Sequence, residues 1–183
     1  MMHKRIEIHS SRLLLREIES SDTSAIFMYR SDAQTNQYQG WIPEKLEEVN
    51  DFIEHKIAKE FNRLGTWFQL AIVLKESNKL IGDLGMHFLE NDAVELGATI
   101  AQDYHGKGYA TEALKGVINY LFNKVDKQKI KASVDPRNLA SIAMIEKLGF
   151  KKEAHYRKSF FLREEWVDDV IYGLTKQLHF EQK

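Results

Sequence analysis

One stretch constrains the fold more than any other: Ala98 to Asn123, ATIAQDYHGKGYATEALKGVINYLFN. An apolar strand ends near Ala101, a polar loop follows, and Gly106-Lys107-Gly108 leads into a helix. Tyr109, Ala110, Ala113, Leu114, Val117, Ile118, Leu121 and Phe122 recur at the three-to-four spacing of a helix that faces a core. The start of that helix lacks a capping residue. No Ser, Thr, Asp or Asn stands between His105 and Ala110 to occupy the first free N–H groups. Two glycines stand there instead, and glycine lets the backbone approach something outside the chain. Free N–H groups, glycine access and the positive end of a helix dipole make an anion site, which reads as a phosphate or pyrophosphate cradle. A tight turn solvated by water is the alternative that the glycine pair alone leaves open.

The rest of the chain predicts a mixed α/β unit around this stretch. Arg12–Ile18 (RLLLREI) reads as a first strand, and Ser20-Ser21-Asp22 caps a helix to about Ser31. Asp32–Pro43 reads as a loop or broken helix. A second helix is expected over about Glu44–Arg63, with Leu46, Val49, Phe52, Ile53, Ile57 and Phe61 inward. Strands follow at Thr66–Leu74, Leu80–Leu89 and Val94–Ala101, broken by the turn chemistry of Glu76-Ser77-Asn78 and Glu90-Asn91-Asp92. Beyond the central helix come a strand at Ile130–Val134, a helix at about Leu139–Leu148 closed by Gly149, and a hairpin of Lys151–Leu162 with Trp166–Thr175. The order predicts one α+β domain over residues 1–183, about seven strands and about four helices.

Composition narrows the function classes. Cysteine is absent, which excludes disulfides, thiolate metal sites and a cysteine nucleophile. The seven histidines show no HxxxH or HxH spacing, so no metal site is expected. No apolar run is long enough to span a bilayer, and MMHKRIEIHS has no apolar signal core, so a cytoplasmic location without membrane contact is expected. Residues 1–106 carry 11 Lys+Arg against 17 Asp+Glu, and residues 107–183 carry 15 against 10. A basic second half suits an anionic cofactor and a more acidic first half a cationic substrate, while the even overall balance argues against nucleic acid.

The glycine loop does not match the common nucleotide signatures. A P-loop needs Gly-Lys-Ser/Thr after a four-residue spacer, and none exists. The dinucleotide fingerprint needs three glycines, and Thr111 stands in the third place, although Asp135 could mimic its ribose-binding acid.

Glu95-Leu96-Gly97 followed by Tyr104-His105-Gly106-Lys107-Gly108-Tyr109-Ala110-Thr111-Glu112-Ala113 resembles the acetyl-CoA-binding core of the GNAT N-acetyltransferase superfamily. A second signature, Asn138-Leu139-Ala140-Ser141 ending in Glu146-Lys147-Leu148-Gly149-Phe150, follows about thirty residues later in the family order. RLLLR and the tail Glu165-Trp166-Val167-Asp168-Asp169-Val170 are most similar to the branch that acetylates N-terminal alanine or serine amines of ribosomal proteins. The resemblance implies the GNAT-type acyl-CoA N-acyltransferase fold, a mixed, mostly antiparallel sheet flanked by helices. It also implies acetyl-CoA as co-substrate, a primary amine acceptor such as a protein N-terminus, and no metal. Dimerisation is common in this fold, so it allows a homodimer.

The same resemblance places the site. The backbone near Ile100 and Gln102 pairs with the pantetheine arm like an added strand. The amides from His105 through Gly106, Lys107, Gly108, Tyr109 and Ala110 hold the pyrophosphate, with Thr111 in the same signature. Family members usually carry Gln or Arg at the place of His105 and often Pro at that of Gln102. Lys107 offsets phosphate charge or is a solvated loop lysine. Asn138 binds the pantetheine end and is also a good N-cap. Lys147 reaches toward the ribose phosphate or stays a surface helix lysine. Glu95 is the candidate general base, set against an ordinary solvent-facing strand glutamate. It shares a strand face with Gly97 and Thr99.

Only a free amine attacks a thioester, and a lysine-like amine near ~10.4 needs a base more than an α-amine near ~7.7–8.0. Many family members protonate the leaving thiolate with a tyrosine seven residues after the Asn, where this chain has Ile145. The ribosomal branch uses a serine three residues after it, here Ser141, whose hydroxyl could equally pack quietly in a helix first turn. Two rivals stand beside this reading: acetylation of small amines such as polyamines or aminoglycosides, and a non-catalytic acyl-CoA-binding or sensing module. Aromatics at Tyr38, Trp41, Trp67 and Phe68 suit an acceptor pocket or the core. Asp168 and Asp169 are adjacent on a strand and must face opposite ways.

Overall fold

The computed structural model describes residues 5–182. In chain order its elements are β1 (Glu7–His9), β2 (Leu13–Glu17), α1 (Thr23–Arg30), α2 (Leu46–Asp51), β3 (Trp67–Leu74), β4 (Lys79–Leu89), β5 (Ala93–Ile100), α3 (Tyr109–Asn123), β6 (Lys129–Val134), α4 (Leu139–Lys147), β7 (Lys151–Leu162), β8 (Glu165–Thr175) and α5 (Lys176–Glu181). The strands form one eight-stranded sheet in the order β1-β2-β3-β4-β5-β6-β8-β7. The expected hairpin turns occur where Asn78, Asn91 and Asp92 take positive φ, which short polar side chains tolerate.

The parallel pair β5–β6 decides where a ligand can enter. The crossover between them runs through α3, as a parallel connection requires. Pairing holds only for Ala93, Val94 and Glu95 against Lys129, Ile130 and Lys131. Beyond Glu95 the strands part, and β6 continues its antiparallel ladder with β8 as far as Val134↔Val170. The upper half of β5 therefore has a ladder partner on its β4 side alone, down to Gly82↔Ile100.

Packing covers both faces of the sheet. Ala113, Leu114, Val117, Ile118, Leu121 and Phe122 of α3 are all buried, as their spacing predicts, against Leu13, Leu15, Leu70, Leu84, Met86 and Val94. On the other face Ile26 and Tyr29 of α1 pack with Val49 and Ile53. A buried ion pair ties α1 to β4: Arg30 donates to Asp83 through Nε at 3.0 Å, and Tyr29 OH donates to it at 2.5 Å. Asp83 is fully enclosed, so Asp83→Ala would leave the Arg30 guanidinium buried without its partner. The expected loss of stability is about 3–5 kcal/mol, measured by urea unfolding.

Three features depart from the sequence reading. The helix expected over Glu44–Arg63 stops early: α2 gives way to a wide π turn at Phe52–Lys56, and Ile57 is extended. Ala58 N–H then donates to Trp67 O at 2.7 Å, so the chain runs beside β3. Phe61 belongs to the α3 side of the sheet, where its ring meets Phe68 at 5.3 Å and Phe88 at 5.1 Å. The apolar spacing was thus shared between two cores, and Leu46 is exposed. The other two departures are additions. β1 buries only Ile8, too little for an alternation to show. α5 is six residues long, is capped by the Thr175 hydroxyl accepting from Leu178 N–H, and sets His179 against Phe122.

Candidate active site

The glycine loop takes the conformation its sequence asks for. Gly106 and Gly108 have φ of 72° and 80°, the left-handed region that side chains avoid. Gly108 stands at the N-cap of α3, and no side chain caps that helix. A Cβ at Gly106 would meet nothing within 4 Å. The opening lies on a cleft of about 750 Å³ whose walls include Ile100, Gln102, His105, Gly106, Gly108, Tyr109, Ala110 and Thr111, together with Asn138 and Ser141 from the start of α4. Residues as far apart in sequence as Gln34 and Met144 thus share one cavity. Gln34, Tyr38 and Gln39, from the turns after α1, close its far side.

Two expected contacts are already used inside the chain. The His105 N–H donates to Gln102 O at 3.0 Å, so the open amides begin at Gly106. The His105 ring donates through Nε2 to Ile100 O at 2.6 Å, which fixes that tautomer and folds the loop back on the end of β5. Gln102 sits in a short 3-10 turn, where β5 has already ended. Ala98, two residues earlier than Ile100, also lines the cleft. Lys107 lies outside that lining: its Nζ donates to Asp103 O at 2.9 Å, and it stands 5.4 Å from the Tyr104 ring centre. Lys147 is exposed at the C-terminal end of α4, also outside it.

Arg12 is a residue the sequence reading passed over. Its Nη1 donates to Lys107 O at 3.0 Å, its Nε to Glu112 at 2.6 Å, and its guanidinium lies 4.3 Å from the Tyr109 ring centre. Burial alone would raise the Glu112 carboxyl, but the Arg12 N–H, the Ser10 hydroxyl and the Arg12 guanidinium hold it below the ordinary glutamate range. β2 is thereby latched to the loop and to the first turns of α3. No local signal could reveal a pair 100 residues apart.

Asn138 accepts from Ser141 N–H at 3.2 Å and so caps α4. Ser141 lines both the main cleft and a smaller cavity of about 130 Å³ that reaches Leu96, Gly97 and Ser133 where β5 and β6 part. Ile145 is buried in the core and offers no acid. Glu95 lies at the last paired position before the split, on the face opposite α3 and two residues from Gly97. Its carboxyl is raised above the ordinary range, first by burial and then by Asp169, against the opposing pull of His87 and Lys131. The His87 ring stands 3.8 Å from Glu95 Oε2 and stacks on Trp67 at 4.8 Å. His87 carried no motif in the sequence, because its partner comes from the neighbouring strand. Asp168 and Asp169 do face opposite ways, the first bonded to His155 at 2.7 Å and the second to Ser133 at 2.6 Å. Of the aromatics, Tyr38 lines the cleft, Phe68 is core, and Trp41 stacks on Phe52. Among the described residues no three His, Asp or Glu side chains gather as a metal site would require.

Residues 12–151 match the family model described as an acetyltransferase (GNAT) domain. The chain belongs to the GNAT acetyltransferase family. The N-acetyltransferase p20 of Bacillus licheniformis is 28% identical over 173 residues, covering 93% of this chain and 96% of the relative. A GNAT-family acetyltransferase from Bacillus anthracis has a crystal structure 26% identical in sequence, with a TM-score of 0.83 over 94% of this chain and 99% of that one. The ribosomal protein uS5-alanine N-acetyltransferase of Escherichia coli is 29% identical over 122 residues, covering 65% of this chain and 63% of the enzyme. This GNAT protein is therefore an N-acetyltransferase that moves an acyl group to an amine. Among the described residues no helix is long and apolar enough to cross a membrane.

Proposed function

We propose that this GNAT protein uses acetyl-CoA to acetylate the N-terminal amine of a peptide or protein. One observation carries the cofactor reading. The uncapped start of α3, opened by two left-handed glycines, shares a cleft with the upper half of β5 and with Ser141. That combination fits a pyrophosphate at the helix N-terminus and an extended pantetheine arm beside β5. The amides from Gly106 to Ala110 would hold the phosphates, the Ala98 backbone and the Ile100 N–H the arm, and Asn138 its far end. Bound acetyl-CoA would supply a thioester whose C–S bond breaks as the amine's C–N bond forms. Glu95 takes the proton that the attacking nitrogen loses, and the Ser141 hydroxyl donates a hydrogen bond to the departing sulfur. The similarity to a ribosomal-protein-alanine acetyltransferase supports the choice of acceptor. An α-amine is also the amine that asks least of a single half-buried carboxylate.

The test is incubation with acetyl-CoA and two acceptors, a free N-terminal alanine peptide and spermidine, read by mass spectrometry. Acetyl transfer to the peptide N-terminus supports the proposal; transfer to spermidine alone would replace the acceptor. Absence of acetyl-CoA binding would remove the reading altogether. Ser141→Ala is expected to lower kcat by roughly 10²-fold while acetyl-CoA affinity is kept.

A further inference from the structure

The acceptor side of the sheet contains a notch that adjoins the donor cleft, whose lining includes Thr99. Strand register sets Gln69 of β3 opposite Gly85 of β4, and Gly85 opposite Gly97 of β5. One row across three strands therefore holds one side chain and two glycines. A Cβ on Gly85 would stand 2.6 Å from Gln69 Nε2 and 3.0 Å from the Trp67 ring, so the Gln69 carboxamide lies over that glycine beside the indole. At Gly97 nothing lies within 4 Å of the Cβ position. Glu95 and Thr99 are its neighbours on the same face, one at each side along the strand. Gly97 also lines the small cavity that contains Ser141, so the notch opens toward the position proposed for acyl transfer.

Two buried oxygens at this notch have no hydrogen-bond partner among the described residues, Gln69 Oε1 and Thr99 Oγ1. Gln69 is 9% exposed and Thr99 5%, so both side chains are built into the wall of the notch. Unpaired buried polar atoms destabilise a fold unless something brings the missing donor. The nearby carboxylates are mostly satisfied within the protein. Asp83 is bonded by Tyr29 and Arg30, and Asp169 by Ser133. Glu95 alone is held loosely, at 3.8 Å from His87. The notch thus offers one carboxylate and two neutral oxygens, which suits one amine followed by a peptide unit and not a chain of several ammonium groups.

We propose that Gln69 and Thr99 bind the acceptor, taking the first peptide unit of an extended chain whose N-terminal amine lies beside Glu95. The Gln69 carboxamide oxygen accepts the first peptide N–H, and the Thr99 hydroxyl bonds the same unit. This rests on the acceptor reading given under the proposed function.

The experiment compares tetra-alanine with the same peptide methylated on the nitrogen of its first peptide bond, both with acetyl-CoA. In the wild type, methylation is expected to lower kcat/KM by roughly 10-fold or more, through the lost hydrogen bond. Gln69→Leu and Thr99→Val are each expected to raise KM for the plain peptide by about 10-fold, with acetyl-CoA affinity by calorimetry unchanged. In Gln69→Leu the methyl group should have no further effect, which a merely structural role would not produce. Thr99→Val should also melt no lower than the wild type, because it removes an unpaired buried hydroxyl, and it carries the test should Gln69→Leu fold poorly. If the wild type acetylates the peptide and both variants keep its KM, or if methylation is silent, this inference falls and the proposed function stands. If the wild type acetylates no peptide, both fall together.

Discussion

Gly108→Trp is expected to weaken acetyl-CoA binding by at least about 10²-fold while leaving the protein folded. Gly108 holds φ 80° and ψ 7° at the point where α3 begins. A residue with a Cβ pays about 1–2 kcal/mol to stay in that region, so the loop either strains or turns its amides away from the cleft. The indole would add bulk at the mouth of the cavity, since only Arg12 Nη2, at 3.6 Å, stands near the Cβ position. The α3 core face lies one turn and more beyond, from Ala113 onward, and is not disturbed. Calorimetry with acetyl-CoA reads the binding, and circular dichroism checks the fold. Binding equal to that of the wild type would move the phosphates elsewhere and sink the cradle.

Glu95→Gln has the second large effect. A positioned general base contributes about 10²–10⁴-fold, so kcat should fall by that order at pH 7 with acetyl-CoA affinity kept. The deficit should shrink at higher pH for a peptide acceptor, whose α-amine is already partly free near ~7.7–8.0. In the wild type kcat should rise with pH along a limb that lies above the ordinary glutamate range. Burial raises that carboxyl, Asp169 adds to it, and His87 and Lys131 only partly oppose them. Stability should move the other way. A carboxyl raised by folding binds its proton more tightly in the native state, so the native state loses stability as pH climbs from the unfolded value through the folded one. Glu95→Gln removes that loss and should melt higher than the wild type at pH 7, with no such gain at pH 4. A variant that loses activity and stability together would show a structural glutamate and not a base.

The amino-acid sequence by itself determined the central unit: the uncapped helix, its two glycines and the buried face of Ala113 to Phe122 all stand as their spacing implies. These are local properties, set by backbone conformation and by a period of 3.6 residues, so one stretch of chain is enough to read them. The same holds for Asn138 as the cap of α4 and for the turns at Asn78 and Asn91. Where apolar residues served two surfaces, the local reading failed, and the helix drawn through Phe61 ended at a π turn instead. The site itself was decided by tertiary structure. Only the parting of β5 from β6 opens the small cavity beneath Ser141, and only strand register sets Trp67, His87 and Glu95 in one row and Gln69, Gly85 and Gly97 in the next. Arg12 reaches Lys107 and Glu112 because β2 packs against the start of α3. Such partners lie on different strands and helices, and distance along the chain carries no information about which of them meet.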